Sequence, residues 1–140
     1  MKRIITIITL SGLLIFTGCK KTDNAAAWVG VYKGTGLTNT INQITISEAG
    51  NNSLKILLQI DTVISGTAIV YTYATIQKAT VSDANTAVIN EIGAIANTTG
   101  SFHFLGGCSL NGSLLEITGT ATNTANASDI RGEYFNGNKQ

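Results

Sequence analysis

From residue 28 onward polar and apolar residues alternate along most of the chain, with the two-residue period of a strand that buries one face. The alternation is cleanest over 54–60, where Leu54, Ile56, Leu58 and Ile60 share one side and Lys55, Gln59 and Asp61 lie on the other. Comparable runs occupy 28–36, 41–47, 68–77, 87–92, 101–110, 113–122 and 129–135, with polar turns such as Gly50-Asn51-Asn52 between them. The run at 68–77 brings Ile69, Tyr71 and Tyr73 together. No helical period is sustained, no proline occurs and no composition break divides the stretch. The pattern predicts one all-β domain over 28–140, an antiparallel β-barrel or sandwich of about eight strands.

Register follows for one pair. Asn111-Gly112 stands between two alternating runs, and a two-residue turn there places Leu110 opposite Ser113, Cys108 opposite Leu115, Gly106 opposite Ile117 and Phe104 opposite Gly119. Phe102, Phe104, Cys108, Leu110, Leu115 and Ile117 then share the core surface. His103, Leu105, Glu116 and Thr118 take the outer one, with His103 across from Thr120.

The first residues read differently. Met1-Lys2-Arg3 is a positive start, and residues 4–16 form an apolar run shorter than the roughly 20 residues needed to cross a bilayer. This is the layout of a cleaved signal segment. Its end, Phe16-Thr17-Gly18-Cys19, resembles the lipobox of bacterial lipoproteins. The resemblance implies a signal peptide over 1–18, cleavage between Gly18 and Cys19, and a mature chain that begins at Cys19 with lipid on its sulfur and its amine. One acyl chain holds a protein only marginally, whereas several hold it firmly. Lys20, directly after the cysteine, implies by the same resemblance the outer membrane rather than the inner. The single acidic residue in Lys20-Lys21-Thr22-Asp23 points to the periplasmic face rather than the cell surface. Residues 19–27 form the lipidated cysteine and a short tether, which spans at most about 30 Å when extended.

Composition narrows the function classes. Charged residues make up 12% of the chain, half the ordinary share of about 25%. Removal of 1–18 leaves seven basic against eight acidic side chains. No basic block forms outside the termini of the signal region, so nucleic acid is not an expected partner.

Candidate chemistry is sparse. His103 is the only histidine and sits on an outer strand face without the spacing of a metal ligand set or a nucleophile motif. Cys108 has no partner once Cys19 carries lipid, which leaves a buried inert thiol or a disulfide between two chains. The carboxylates are scattered, and Arg131 and Glu133, two apart, suggest a surface ion pair. Gly30, Gly34 and Gly36 resemble a phosphate loop only superficially, since no helix follows. Glycine in strands marks bulges or tight barrel bends. No catalytic group, cofactor or metal is expected.

The lipobox, Trp28-x-Gly30-x-Tyr32-x-Gly34, the short regular strands and the late Asn-Gly hairpin are together similar to small lipocalin-like lipoproteins of Bacteroidota. That resemblance implies an up-and-down barrel whose interior either holds one small apolar ligand or is filled by side chains. Two functions remain open: a non-catalytic anchored binding module, for a small apolar ligand or for a protein, with Tyr71, Tyr73, Phe102 and Phe104 as its aromatic features; and a structural or envelope-accessory lipoprotein with a solid core. A cavity of a few hundred cubic ångströms would favour the first.

Overall fold

The computed structural model describes residues 24–36 and 41–140. The expected signal peptide, its Gly18–Cys19 cleavage site and the lipid attachment at Cys19 lie outside the described residues.

Eight strands follow one another: β1 (Gly30–Gly36), β2 (Gln43–Gly50), β3 (Ser53–Ile64), β4 (Thr67–Val81), β5 (Thr86–Gly93), β6 (Phe102–Asn111), β7 (Leu114–Asn123) and β8 (Ile130–Lys139). Each pairs antiparallel with the next, and β8 returns to β1 to close the barrel. Of the two architectures the sequence leaves open, the barrel is formed, with up-and-down order. Closure removes the edges that an open sheet would leave unpaired.

Alternation decides what lies inside. Ile44 and Ile46, Leu54, Ile56 and Leu58, Phe102, Phe104, Cys108 and Leu110, Leu115 and Ile117, and Phe135 are all buried and form one core along the barrel axis. One end is stoppered by a 3-10 turn, Ala25–Trp28, which packs on β2 and β3. Trp28 is fully buried, and the Tyr32 hydroxyl donates to its carbonyl at 2.8 Å. Periodicity could not announce this turn, since four residues carry no period. The packed region therefore includes Asn24, whose N–H bonds the Asn52 side chain, ahead of the Trp28 start that alternation suggests.

The β6–β7 hairpin corrects the expected register. Asn111 pairs with Leu114, and the turn is Gly112-Ser113. Only Gly112 has a positive φ there, +61°, as a turn with glycine at its first central position requires. Leu110 therefore faces Leu115, Cys108 faces Ile117, Gly106 faces Gly119 and His103 faces Thr122. The shift moves each pairing by two residues, so no side chain changes face. It replaces a Leu–Ser contact inside the barrel by Leu–Leu, and burial favours that register.

Two glycine pairs, Gly34–Gly137 and Gly106–Gly119, face each other across strands. A Cβ on Gly34 would fall on the Asn136 carbonyl, and one on Gly106 on the Thr118 carbonyl. At these points the backbones approach closely enough for the small barrel to coil shut.

β3 and β4 run past their other neighbours. The ladder of β2 with β3 ends at Gln43–Gln59, and β5 pairs with β4 only at Thr80–Val88 and Val81–Ala87, with one further bridge at Ala74–Ile95. Residues 60–71 thus form a two-stranded ribbon at the barrel end opposite the 3-10 turn. A register shift at Leu58/Gln59 leaves Tyr73 as the extra residue where the ribbon joins the barrel.

Candidate functional site

The barrel interior is the first place to look for a ligand. The space among Leu58, Ile76, Ile89, Phe104, Ile117 and Glu133 amounts to about 10 Å³. One water fills such a volume, whereas sites for small organic ligands run to roughly 300 Å³ and more. Phe102 and Phe104, two of the four aromatic residues expected to meet a ligand, are themselves the filling. Tyr73 is half-buried and only Tyr71 is exposed.

At the barrel end bearing the ribbon, Glu133 points inward, and the expected surface ion pair with Arg131 gives way to another arrangement. Arg131 reaches Asp129 at 3.4 Å and lies over the Phe102 ring, 4.9 Å from its centre. The Tyr73 hydroxyl crosses the mouth from β4 and donates to Glu133 Oε1 at 3.2 Å. Burial away from water pushes the Glu133 carboxyl above its ordinary range, offset in part by the Tyr73 hydrogen bond and the Arg131 charge. A carboxyl raised in this way favours the folded state while both states are protonated. That contribution is lost as pH rises through its folded value. Glu133→Gln, which keeps the acceptor for Tyr73, should therefore be more stable than the parent near neutrality, and the difference should vanish towards about pH 4. Urea midpoints measured across that range decide it; a constant difference would mean that Glu133 burial is not what moves its titration.

Cys108 is buried, and burial pushes its thiol up to about 12. Of the two fates open to it, burial is the one its position on the core face supports. Maleimide should leave Cys108 unlabelled in the folded protein and label it fully in denaturant; rapid native labelling would show that the barrel opens at β5 and β6.

His103 lies on the outer face, as the alternation requires, with Nε2 2.7 Å from Asn90 Oδ1. The carboxylates do not gather round it: Glu91 turns its own to the Lys78 N–H at 2.7 Å, closing a gap in the β4–β5 ladder. Among the described residues, no group of three or more His, Cys, Asp and Glu side chains is close enough to hold a metal ion.

The outer wall of β5 to β8 offers a different kind of site. Ile92, His103, Thr122 and Ile130 form one row across the four strands, Asn90, Leu105, Thr120 and Gly132 the next, and Val88, Gly107, Thr118 and Tyr134 a third. No Asp, Glu, Lys or Arg stands in these three rows. Four large aliphatic side chains do: Val88, Ile92, Leu105 and Ile130, between 49% and 63% exposed. An open groove of about 670 Å³ runs along Asn90, Ile92, His103, Thr122 and Thr124 at one side of these rows, with Glu91 at its border. Large apolar side chains grouped on an uncharged wall mark a surface that partners can cover. Alternation places His103, Leu105 and Thr118 outward, but on the sequence alone it marks no continuous wall. The signal available was aliphatic residues at the polar phase of β5, β6 and β8.

Comparisons with protein-family models, curated proteins and solved structures return no match, so the site rests on this geometry alone.

Proposed function

We propose that the protein is a lipid-anchored envelope lipoprotein whose β-barrel is a non-catalytic module binding a protein on its outer wall. The observation that carries this reading is the uncharged wall of β5 to β8 with Val88, Ile92, Leu105 and Ile130 exposed on it, over an interior space of about 10 Å³ among the described residues. The scattered carboxylates, the outward His103 and the buried Cys108 support a role without catalysis. Phe16-Thr17-Gly18-Cys19 supports the anchor, and Lys20 supports the outer membrane, periplasmic face.

Under this reading the four residues 20–23 separate Cys19 from the packed Asn24. Five extended steps reach roughly 18 Å. The stoppered end of the barrel is then held against the bilayer, with the wall of β5 to β8 to one side and the ribbon at the far end.

A photoreactive amino acid at Leu105, in the chain expressed in its own envelope, should give a discrete cross-linked protein species. The same group at Lys55, outward on β3, should not. Equal adducts at both positions, or none, would favour the second reading that the filled core also supports, an envelope-accessory lipoprotein without a partner on this wall.

A further inference from the structure

Apart from Val29, the exposed large apolar residues away from the β5 to β8 wall gather, among the described residues, on the ribbon: Val63, Ile64, Val70 and Tyr71. No charged residue occurs from 62 to 77. Exposed strand edges are ordinarily blunted by lysine, proline or a covering segment, because their free N–H and C=O groups recruit other strands. The β3 edge of this ribbon is capped at Asp61, and the β4 edge has no such cap among the described residues.

The turn settles which backbone groups face outward. Ser65 and Gly66 have φ of +51° and +79°, a two-residue turn with both central residues in the left-handed region, and Ile64 pairs with Thr67 beside it. The pair flanking such a turn exchanges hydrogen bonds, and bonded and non-bonded pairs then alternate. Thr62–Ile69 and Ile60–Tyr71 are therefore bonded pairs. Val63–Ala68, Asp61–Val70 and Gln59–Thr72 turn their N–H and C=O groups away from the ribbon. Asp61 agrees: its N–H donates to Asn42 Oδ1 at 2.6 Å, and its carbonyl accepts from Asn42 Nδ2 at 2.7 Å. The Asn42 amide thus imitates a neighbouring strand on the β3 edge. On the β4 edge, among the described residues, nothing does the same for Ala68, Val70 and Thr72. The next β4 carbonyl, Tyr73, is taken by the Ala96 N–H.

We infer that the free β4 edge, Ala68 to Thr72, pairs antiparallel with the same edge of a second copy of this chain. The spacing of the free groups is self-complementary about Val70. Val70 of each copy exchanges both backbone hydrogen bonds with its counterpart, and Ala68 of each does so with Thr72 of the other, so that all three outward residues are satisfied at once. The non-bonded positions between them set Ile69 of one copy beside Tyr71 of the other, an aromatic and β-branched pair of the kind that stabilises antiparallel ladders. A two-fold pairing brings like residues together, and an uncharged edge is what tolerates it. The 3-10 turns of the two barrels then point in opposite directions, so the pairing forms between copies released from the bilayer and not between two anchored side by side in one leaflet. The contact area is narrow compared with standard interfaces of about 800 Å² per partner, so the dimer forms and separates readily.

The test uses the full chain in mild detergent. Paired Val70 residues stand about 5.5 Å apart at Cα, within reach of a disulfide or a short bismaleimide. Val70→Cys should cross-link to a dimer at least about tenfold more than Val63→Cys, an exposed ribbon position on the capped strand. Val70→Lys, a surface change that leaves the core untouched, should lower the dimer fraction in sedimentation about tenfold, while Leu105→Asp should leave it unchanged. Equal cross-linking at 63 and 70, a monomer throughout the concentration series, or a dimer indifferent to Val70→Lys would each overturn the inference. Loss of the dimer in Leu105→Asp would move the contact to the β5 to β8 wall and overturn it as well.

Discussion

Gly106→Ala should cost about 3 kcal/mol of folding stability, while Gly107→Ala, one residue along the same strand, should stay within about 0.5 kcal/mol of the parent. Gly106 faces into the barrel opposite Gly119, and an added methyl would fall on the backbone carbonyl of Thr118, which no side-chain rotation can relieve. Gly107 faces outward, where a methyl would meet the Ala87 carbonyl at an ordinary 3.7 Å. Gly34→Ala should resemble Gly106→Ala, since its methyl would fall on the Asn136 backbone. Domains of this size retain only about 5–15 kcal/mol, so each inward variant should lower Tm by roughly 10 °C. Thermal or urea unfolding of the three variants checks this. If Gly106→Ala and Gly107→Ala proved equally stable, the two glycine pairs would not be what lets the barrel close.

Cys19→Ser should abolish lipidation and, where the signal segment is removed, membrane attachment. The proposed anchor depends on one sulfur, and each methylene it places in the bilayer contributes about 0.8 kcal/mol, so removing every chain leaves nothing comparable to hold the barrel. The variant should keep its first 18 residues or leave the membrane, and it should incorporate no palmitate. Labelling by palmitate at the parent level, with retention in the membrane fraction, would dismiss the anchor. The barrel itself should be unaffected, because Cys19 belongs to none of its eight strands.

These two results bear on parts of the chain that differ in how far the sequence reveals them. Strand alternation is a local property, and Leu54, Ile56 and Leu58, or Phe102 and Phe104, state their own face. All eight runs recognised from alternation correspond to strands of the closed barrel. Register is a pairwise property. Asn111-Gly112 carries a strong turn signal, yet the Leu110–Leu115 contact outweighs it and moves the turn by one residue along the chain. The 3-10 turn at Ala25–Trp28 is too short for any period, and its stopper role depends on where β2 and β3 lie.

The candidate site is less legible for a related reason. Glu133 sits at the inward phase fixed by Phe135, but Tyr134 between them blurs that phase, and Tyr73 reaches Glu133 from 60 residues away. Ile92, Leu105 and Ile130 are unremarkable one by one. They become a surface only when β5, β6, β7 and β8 lie side by side and the rows hold no charge. Asn42 likewise reads as a loop residue until the ribbon edge that its amide caps is in place.

The proposed protein is an anchored barrel with a filled interior that works from its outside. Intact mass of the protein released from its own membrane in mild detergent, recorded first under native and then under denaturing conditions, tests it most directly. The expected result is a chain beginning at Cys19 with acyl groups attached, and no additional small molecule retained in the native spectrum. A full-length chain without lipid, or a native species carrying an apolar ligand that denaturation releases, would contradict it.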